Sequence, residues 1–211
     1  METNGMMSFI YKLTNWTMRL AYVNILWIVF SIMGLVIFGF FPATVAMFAV
    51  IRLSGKDEDV PVFKTFWKVY KQEFLKSNLL GLILIIIGLI FYMDFHFLKA
   101  TSNTFLQQLY LPLVFLSCLF YLTVLYMFPI YVHYDLKTVQ IFKNAFLIMI
   151  MNPLPTIYMI AGIIAVYFAV SYFPGLLPVF SGSILTLIIS SSASLAFKKI
   201  ERKKSELEAQ G

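Results

Sequence analysis

Long apolar runs separated by short polar gaps dominate this chain. The runs cover Leu20 to Leu53, about Ser77 to Phe97, Tyr110 to Tyr134, Leu154 to Phe173 and Leu176 to Phe197, with a Pro174-Gly175 turn before the last. About 20 helical residues at 1.5 Å each cross a hydrocarbon core of roughly 30 Å, so each of the last four runs fits one crossing. The first is too long, about 50 Å as one straight helix. Asn24 and Arg52 are its strongly polar residues, and Gly34, Gly39 and Pro42 lie in its middle. Because proline removes a donor and clashes with the preceding turn, the run reads as a hairpin: a helix from about Trp16 to Phe38, a break at Gly39 to Pro42 and a short return from Ala43 to Leu53. One long, tilted, kinked span is the alternative. The pattern predicts an all-α, polytopic membrane protein of five to six transmembrane helices, in a single membrane domain over residues 1–211.

The polar gaps differ in charge, and that difference sets an orientation. Arg52, Lys56, Lys64, Lys68, Lys71 and Lys76 fill one gap, Lys137 and Lys143 another, and Lys198, Lys199, Arg202, Lys203 and Lys204 open a basic tail over 198–211. The other connections carry Lys99 alone. Lysine and arginine bias toward the cytoplasm places the basic segments and the C-terminus inside. The hairpin also puts Lys12 and Arg19 inside, whereas a single first span leaves them outside. Trp16, Trp67, Tyr131 and Tyr134 at inner edges, with Tyr92 and Tyr110 at outer ones, agree with an aromatic belt.

Composition supports the same solvent. Apolar residues make up 61% and charged residues 12%, against soluble averages of about 45 to 50% and 25%. The formal charge of +6 flanks apolar runs, where it meets anionic headgroups and not nucleic acid. Cys118 is the single cysteine and lies inside a run, so it forms no intrachain disulfide. The first apolar run far exceeds a signal-peptide core of about 7 to 15 residues, so the N-terminus is expected to stay attached. No lipidation signal is expected from Met1-Glu2 or from the Glu-Ala-Gln-Gly end.

Phe63, Phe66, Trp67, Tyr70 and Phe74 recur at helical spacing while Lys64, Lys68 and Lys71 occupy another face. Residues 62–75 therefore read as an amphipathic helix in the cytoplasmic interface, with Pro61 suiting its first turn. Lys64, Trp67, Lys68 and Lys71 are its candidate contacts, either with anionic lipid or with a protein partner. The segment Val62 to Trp67 is echoed by Ile141 to Phe146, and Phe41-Pro42 by Phe128-Pro129. Internal duplication and coincidence among apolar residues both explain the echo.

Chemistry-bearing residues are sparse. Asp94 and His96 end one span while His133 and Asp135 end the next, so the topology sets the pairs at opposite faces, each with too few ligands for a closed zinc site. HExxH, Walker A, GxSxG and GxGxxG are absent, and no enzyme, cofactor or metal is expected. Asn24 and Asn144 are the candidate intramembrane polar contacts, joining helices or lining a solute path; Asn78 and Asn152 lie nearer span ends. Gly182, Ser183, Ser190, Ser191, Ser192, Ala193 and Ser194 make the last span rich in small residues, which suits close helix packing or, through the serines, the lining of a polar path with Asn24 and Asn144. No acid or base lies deep in a span, as ion-coupled transport commonly needs.

The stretches Leu20 to Trp27, Gly39 to Thr44, Val62 to Trp67 with Phe74 to Gly81, Met127 to Tyr134, Phe142 to Ala145 and Asn152 to Thr156 resemble the YesL family of bacterial integral membrane proteins, domain of unknown function 624. The likeness runs through nearly the whole chain in order. It implies a bacterial inner-membrane protein without established activity, commonly encoded near carbohydrate-uptake and polysaccharide-breakdown genes, and it carries over no catalytic residue. The two resulting expectations are a non-enzymatic accessory component that docks on a carbohydrate transport system, and a transporter for a small solute or oligosaccharide.

Overall fold

A computed structural model describes residues 3–57, 59–101 and 103–208. Its helices are α1 (Thr3–Met33), α2 (Ile37–Ser54), α3 (Val62–Gln72), α4 (Phe74–Ala100), α5 (Thr104–Gln108), α6 (Tyr110–His133), α7 (Thr138–Met151), α8 (Pro153–Tyr172) and α9 (Leu177–Glu208), with a short 3₁₀ turn at Pro174–Leu176. Among the described residues no strand is present. Among the described residues six helices are long and apolar enough to cross a membrane, and the fold is that of an all-α polytopic membrane protein. Leu82, Ile86, Leu89, Ile157, Tyr167 and Phe168 are among the many large apolar side chains facing outward, an arrangement that suits lipid and not water.

The long first run is drawn as two helices, but the break falls earlier than Gly39 to Pro42. α1 ends at Met33, Gly34 to Val36 form the turn, and Pro42 lies inside α2. Two devices explain the shift. A Cβ at Gly34 would collide with the backbone of Gly39, so glycine at both positions lets the helices meet at the turn. Pro42 leaves the Phe38 carbonyl without its helical donor, and the Asn78 side-chain amide of α4 supplies one at 2.9 Å. The turn is apolar, and Leu35 and Val36 hold φ of 58° and 63°. Its backbone stays paired through Val36 N–H to Ser31 O (2.8 Å) and Gly34 N–H to Phe30 O (3.1 Å).

Two buried clusters organise the bundle. In one, Leu20, Val23, Leu26 and Phe30 of α1 meet Ala43, Ala46, Met47, Val50 and Ile51 of α2, capped by Phe66 and Tyr70 of α3. In the other, Val45 and Phe48 of α2, Leu80 and Leu84 of α4, Tyr126, Met127 and Ile130 of α6, Ile141, Ala145, Ile148 and Met149 of α7, and Ala193 and Ala196 of α9 pack together. α2 belongs to both and is the central helix. The rings of Phe48 and Phe128 stack at 5.5 Å between α2 and α6.

Three further boundaries differ from the sequence reading. The interfacial helix stops at Gln72, where Glu73 (φ −96°, ψ 4°) breaks it from α4. The gap from Asp135 to Asn144 is expected to be a connection, but from Thr138 onward it is helix α7 (Thr138–Met151), whose Ile141, Ala145, Ile148 and Met149 are buried on α6 and its neighbours. Asn152 then breaks the path, and Pro153 at the first position of α8 starts the next helix. The basic tail continues α9 as helix to Glu208, while residues 209–211 and the side chains of Lys203 and Lys204 lie outside the described residues. The echoing segments fall in matching order: α3 follows Pro42-containing α2 and precedes α4, and α7 follows Pro129-containing α6 and precedes α8.

Candidate functional site

Helix ends of α2 and α6 meet the C-terminal half of α9 at one pole of the bundle. Arg52, in the last turn of α2, donates through Nη1 to the Val132 carbonyl, one of the terminal acceptors that α6 cannot satisfy internally. His133 Nε2 lies 3.6 Å from Glu201 Oε1, and its ring packs 4.7 Å from that of Phe197. Beside them, Lys76 Nζ lies 3.6 Å from Asp135 Oδ1 and 5.2 Å from the Tyr131 ring centroid. The Tyr131 hydroxyl donates to Glu73 Oε2 at 2.6 Å. These links tie the starts and ends of α2, α4, α6 and α9 to one another.

Beside Arg52, His133 and Glu201 lies an open cavity of about 600 Å³. Arg52, Lys56, Lys198 and Glu201 supply its charged lining, Ser190, Ser191 and Ser194 its hydroxyls, and Trp16, Ile51, Pro129, Leu187 and Phe197 its apolar walls. The Arg52 Nε and Ser190 Oγ atoms are buried and make no hydrogen bond within the protein.

The sequence-derived contacts lie elsewhere. In α3, Phe66 (0% exposed) and Tyr70 are buried against Phe30 of α1, with ring centroids 5.3 Å and 5.1 Å apart. The Tyr70 hydroxyl donates to the Phe30 carbonyl at 3.2 Å; burial raises its pKa, which keeps the donor protonated. Lys64, Lys68 and Lys71 face outward, Trp67 is 37% exposed, and Lys71 Nζ sits 4.9 Å over the Trp67 ring. The four candidate contacts thus share one outward face.

Asn24 and Asn144 are not joined by this cavity. Asn24 is fully buried; its Nδ2 donates to the Pro178 carbonyl at 2.8 Å, and its Oδ1 accepts from the Ser183 backbone N–H at 3.0 Å. Both ends of the amide pin α1 to the first turns of α9, where Gly182 leaves room for Oδ1 at 3.0 Å from its would-be Cβ. Asn144 is half-buried on α7 and is not among the cavity residues. His96 stacks on Tyr92 in α4, away from the His133–Glu201 pair. Among the described residues no three His, Cys, Asp or Glu gather where they could hold a metal ion.

The sequence places Arg52 in a basic gap at the end of the first apolar run and His133 at the end of a span, and nothing in it marks Glu201 or joins the three. The one signal was local: Arg52 ends a long apolar run that otherwise holds a single strongly polar residue, Asn24.

The family described as "Protein of unknown function, DUF624" has a model that matches residues 20–95, covering the C-terminal part of α1, all of α2 and α3, and most of α4. Relatives extend the likeness over nearly the whole chain. Uncharacterized protein YteU of Bacillus subtilis (strain 168) is 39% identical over 88% of this chain and 84% of its own length. Uncharacterized protein YesL of the same organism is 37% identical over 92% of each. The chain belongs to the DUF624 family. Uncharacterized protein YesV, also of Bacillus subtilis, is 35% identical over 87% of this chain and 88% of its own length. No solved structure matches this DUF624 chain.

Proposed function

We propose that this DUF624 protein is a non-enzymatic accessory component of the bacterial cell membrane, docking on a carbohydrate uptake or utilisation system through the outward face of α3. The observation that carries the reading is the state of that helix. An amphipathic anchor would lay its apolar stripe in lipid, but Phe66 and Tyr70 are covered by Phe30. What α3 leaves outward is Lys64, Lys68 and Lys71 with the rings of Phe63 and Trp67, the basic and aromatic composition that suits an interface with an acidic membrane-protein surface. The carbohydrate assignment rests on the family resemblance. Cationic residues gathered at the pole of Arg52, Lys56, Lys76 and Lys198 support placing that pole, with α3 and the C-terminus, in the cytoplasm.

The transporter reading runs a solute path past Asn24, Asn144 and the serines of the last helix, and the paired bonds of Asn24 to Pro178 and Ser183 weigh against Asn24 facing a solute. Co-purification in a gentle detergent at native expression tests the accessory reading. A carbohydrate permease subunit is expected with the wild type and not with the Lys64→Glu, Lys68→Glu, Lys71→Glu triple variant. Absence of any transport subunit, or equal recovery with the variant, overturns it.

A further inference from the structure

We propose that the cavity between α2, α6 and α9 is a binding site for a phosphate-type oxyanion carried on a partly apolar molecule, independent of the α3 docking face. Three observations converge. First, Arg52 is held in place by its bond to the Val132 carbonyl, yet among the described residues no carboxylate pairs with it within salt-bridge reach. Its Nε is buried without a partner. A buried guanidinium N–H left without a partner is costly, and the fork of donors matches phosphate. Second, Lys56 and Lys198 line the same space, also unpaired with acids among the described residues, while the single lining carboxylate, Glu201, faces His133. The cavity is therefore net cationic. Third, the buried Ser190 hydroxyl lacks a partner within the protein and offers a neutral donor beside the charged ones.

The walls narrow the ligand further. Trp16, Leu187 and Phe197 suit an apolar body attached to the anion, and about 600 Å³ falls within the common range for small-molecule sites. Arg52 and His133 stand at the ends of apolar helices, the level at which lipid phosphates lie. One chemistry thus has two sources, an anionic phospholipid headgroup or a soluble phosphate compound.

The test uses the full chain in neutral detergent, stripped of lipid. Native mass spectrometry reads retention of phosphatidylglycerol against phosphatidylcholine, and calorimetry reads inorganic phosphate. Saturable binding is expected for at least one anionic probe, weakened at least tenfold by Arg52→Met and unchanged by Lys68→Ala on the α3 face. Phosphatidylglycerol alone assigns the lipid source, inorganic phosphate alone the soluble one, and both together the shared oxyanion site. Ser190→Ala and Lys198→Gln, each expected to weaken binding severalfold, keep the test decisive where Arg52→Met fails to fold. The proposal is overturned by no binding of either anionic probe, by equal losses in Arg52→Met and Lys68→Ala, or by wild-type affinity in every folded cavity variant. Loss of α3-dependent co-purification leaves these readouts untouched, so the two failures are separable.

Discussion

The Asn78 side-chain amide donates to the Phe38 carbonyl at 2.9 Å, the acceptor that Pro42 leaves open four residues on. A proline inside a membrane helix is tolerated where another group takes over the freed carbonyl, and here that group comes from 40 residues away. The bond joins the start of α4 to the start of α2. Asn78→Leu is expected to destabilise the protein by about 1 kcal/mol, within the range for interhelical bonds in membranes. In a Pro42→Ala background the backbone N–H returns, and the same substitution should cost distinctly less. A double-mutant cycle by thermal unfolding in detergent measures the coupling; strict additivity would dismiss it.

Asn24 makes a second long-range link, and its predicted effect is structural. Asn24→Leu removes both side-chain bonds between α1 and the start of α9, at a cost of roughly 0.6 to 2 kcal/mol for interhelical bonds in membranes. The melting temperature should fall with no altered solute uptake in proteoliposomes at permissive temperature. An unchanged melting temperature together with a solute-specific uptake defect would return Asn24 to a transport path.

Gly34 and Gly39 allow the hairpin backbones to touch. Gly34→Leu forces them apart in a packed turn and should destabilise by about 1 to 3 kcal/mol, the usual range for overpacking. Gly175, whose Cβ would meet nothing, should accept alanine with little change. Thermal unfolding of both variants checks the contrast, and equal effects would contradict the close approach.

Much of the fold was legible because lipid imposes one simple rule, a long apolar helix for each crossing. Ser77 to Phe97 foretold most of α4, and Leu154 to Phe173 most of α8. The hairpin was legible too, but not its turn. Pro42 looked like the break because local rules count a lost N–H, while its compensation by Asn78 is non-local. α7 was hidden because Phe146 to Met151 is as apolar as the spans beside it, and its short length shows only once Asn152-Pro153 is recognised as a helix boundary. The cavity was illegible for a different reason. Arg52, His133, Ser190 and Glu201 lie tens of residues apart, carry no motif, and meet only when α2, α6 and α9 pack. The α3 face was readable from periodicity, although the sequence pointed its apolar stripe toward lipid and the structure turns Phe66 and Tyr70 onto Phe30.

Sidedness yields its own prediction. In a Cys118→Ser background, a thiol at Lys68→Cys should resist a membrane-impermeant maleimide in intact cells and react after permeabilisation, whereas Gly175→Cys should react in intact cells. The reverse pattern would place the basic pole outside.

Replacing Lys68 in living cells with a photoreactive amino acid, then identifying what becomes attached, addresses the docking role of α3. Lys68 faces outward and its neighbours Phe66 and Tyr70 hold the helix in place without it, so the probe leaves the fold intact. One dominant adduct with a membrane subunit of a carbohydrate uptake system is the result expected. Adducts with lipid alone, or with no transport protein, would contradict the account.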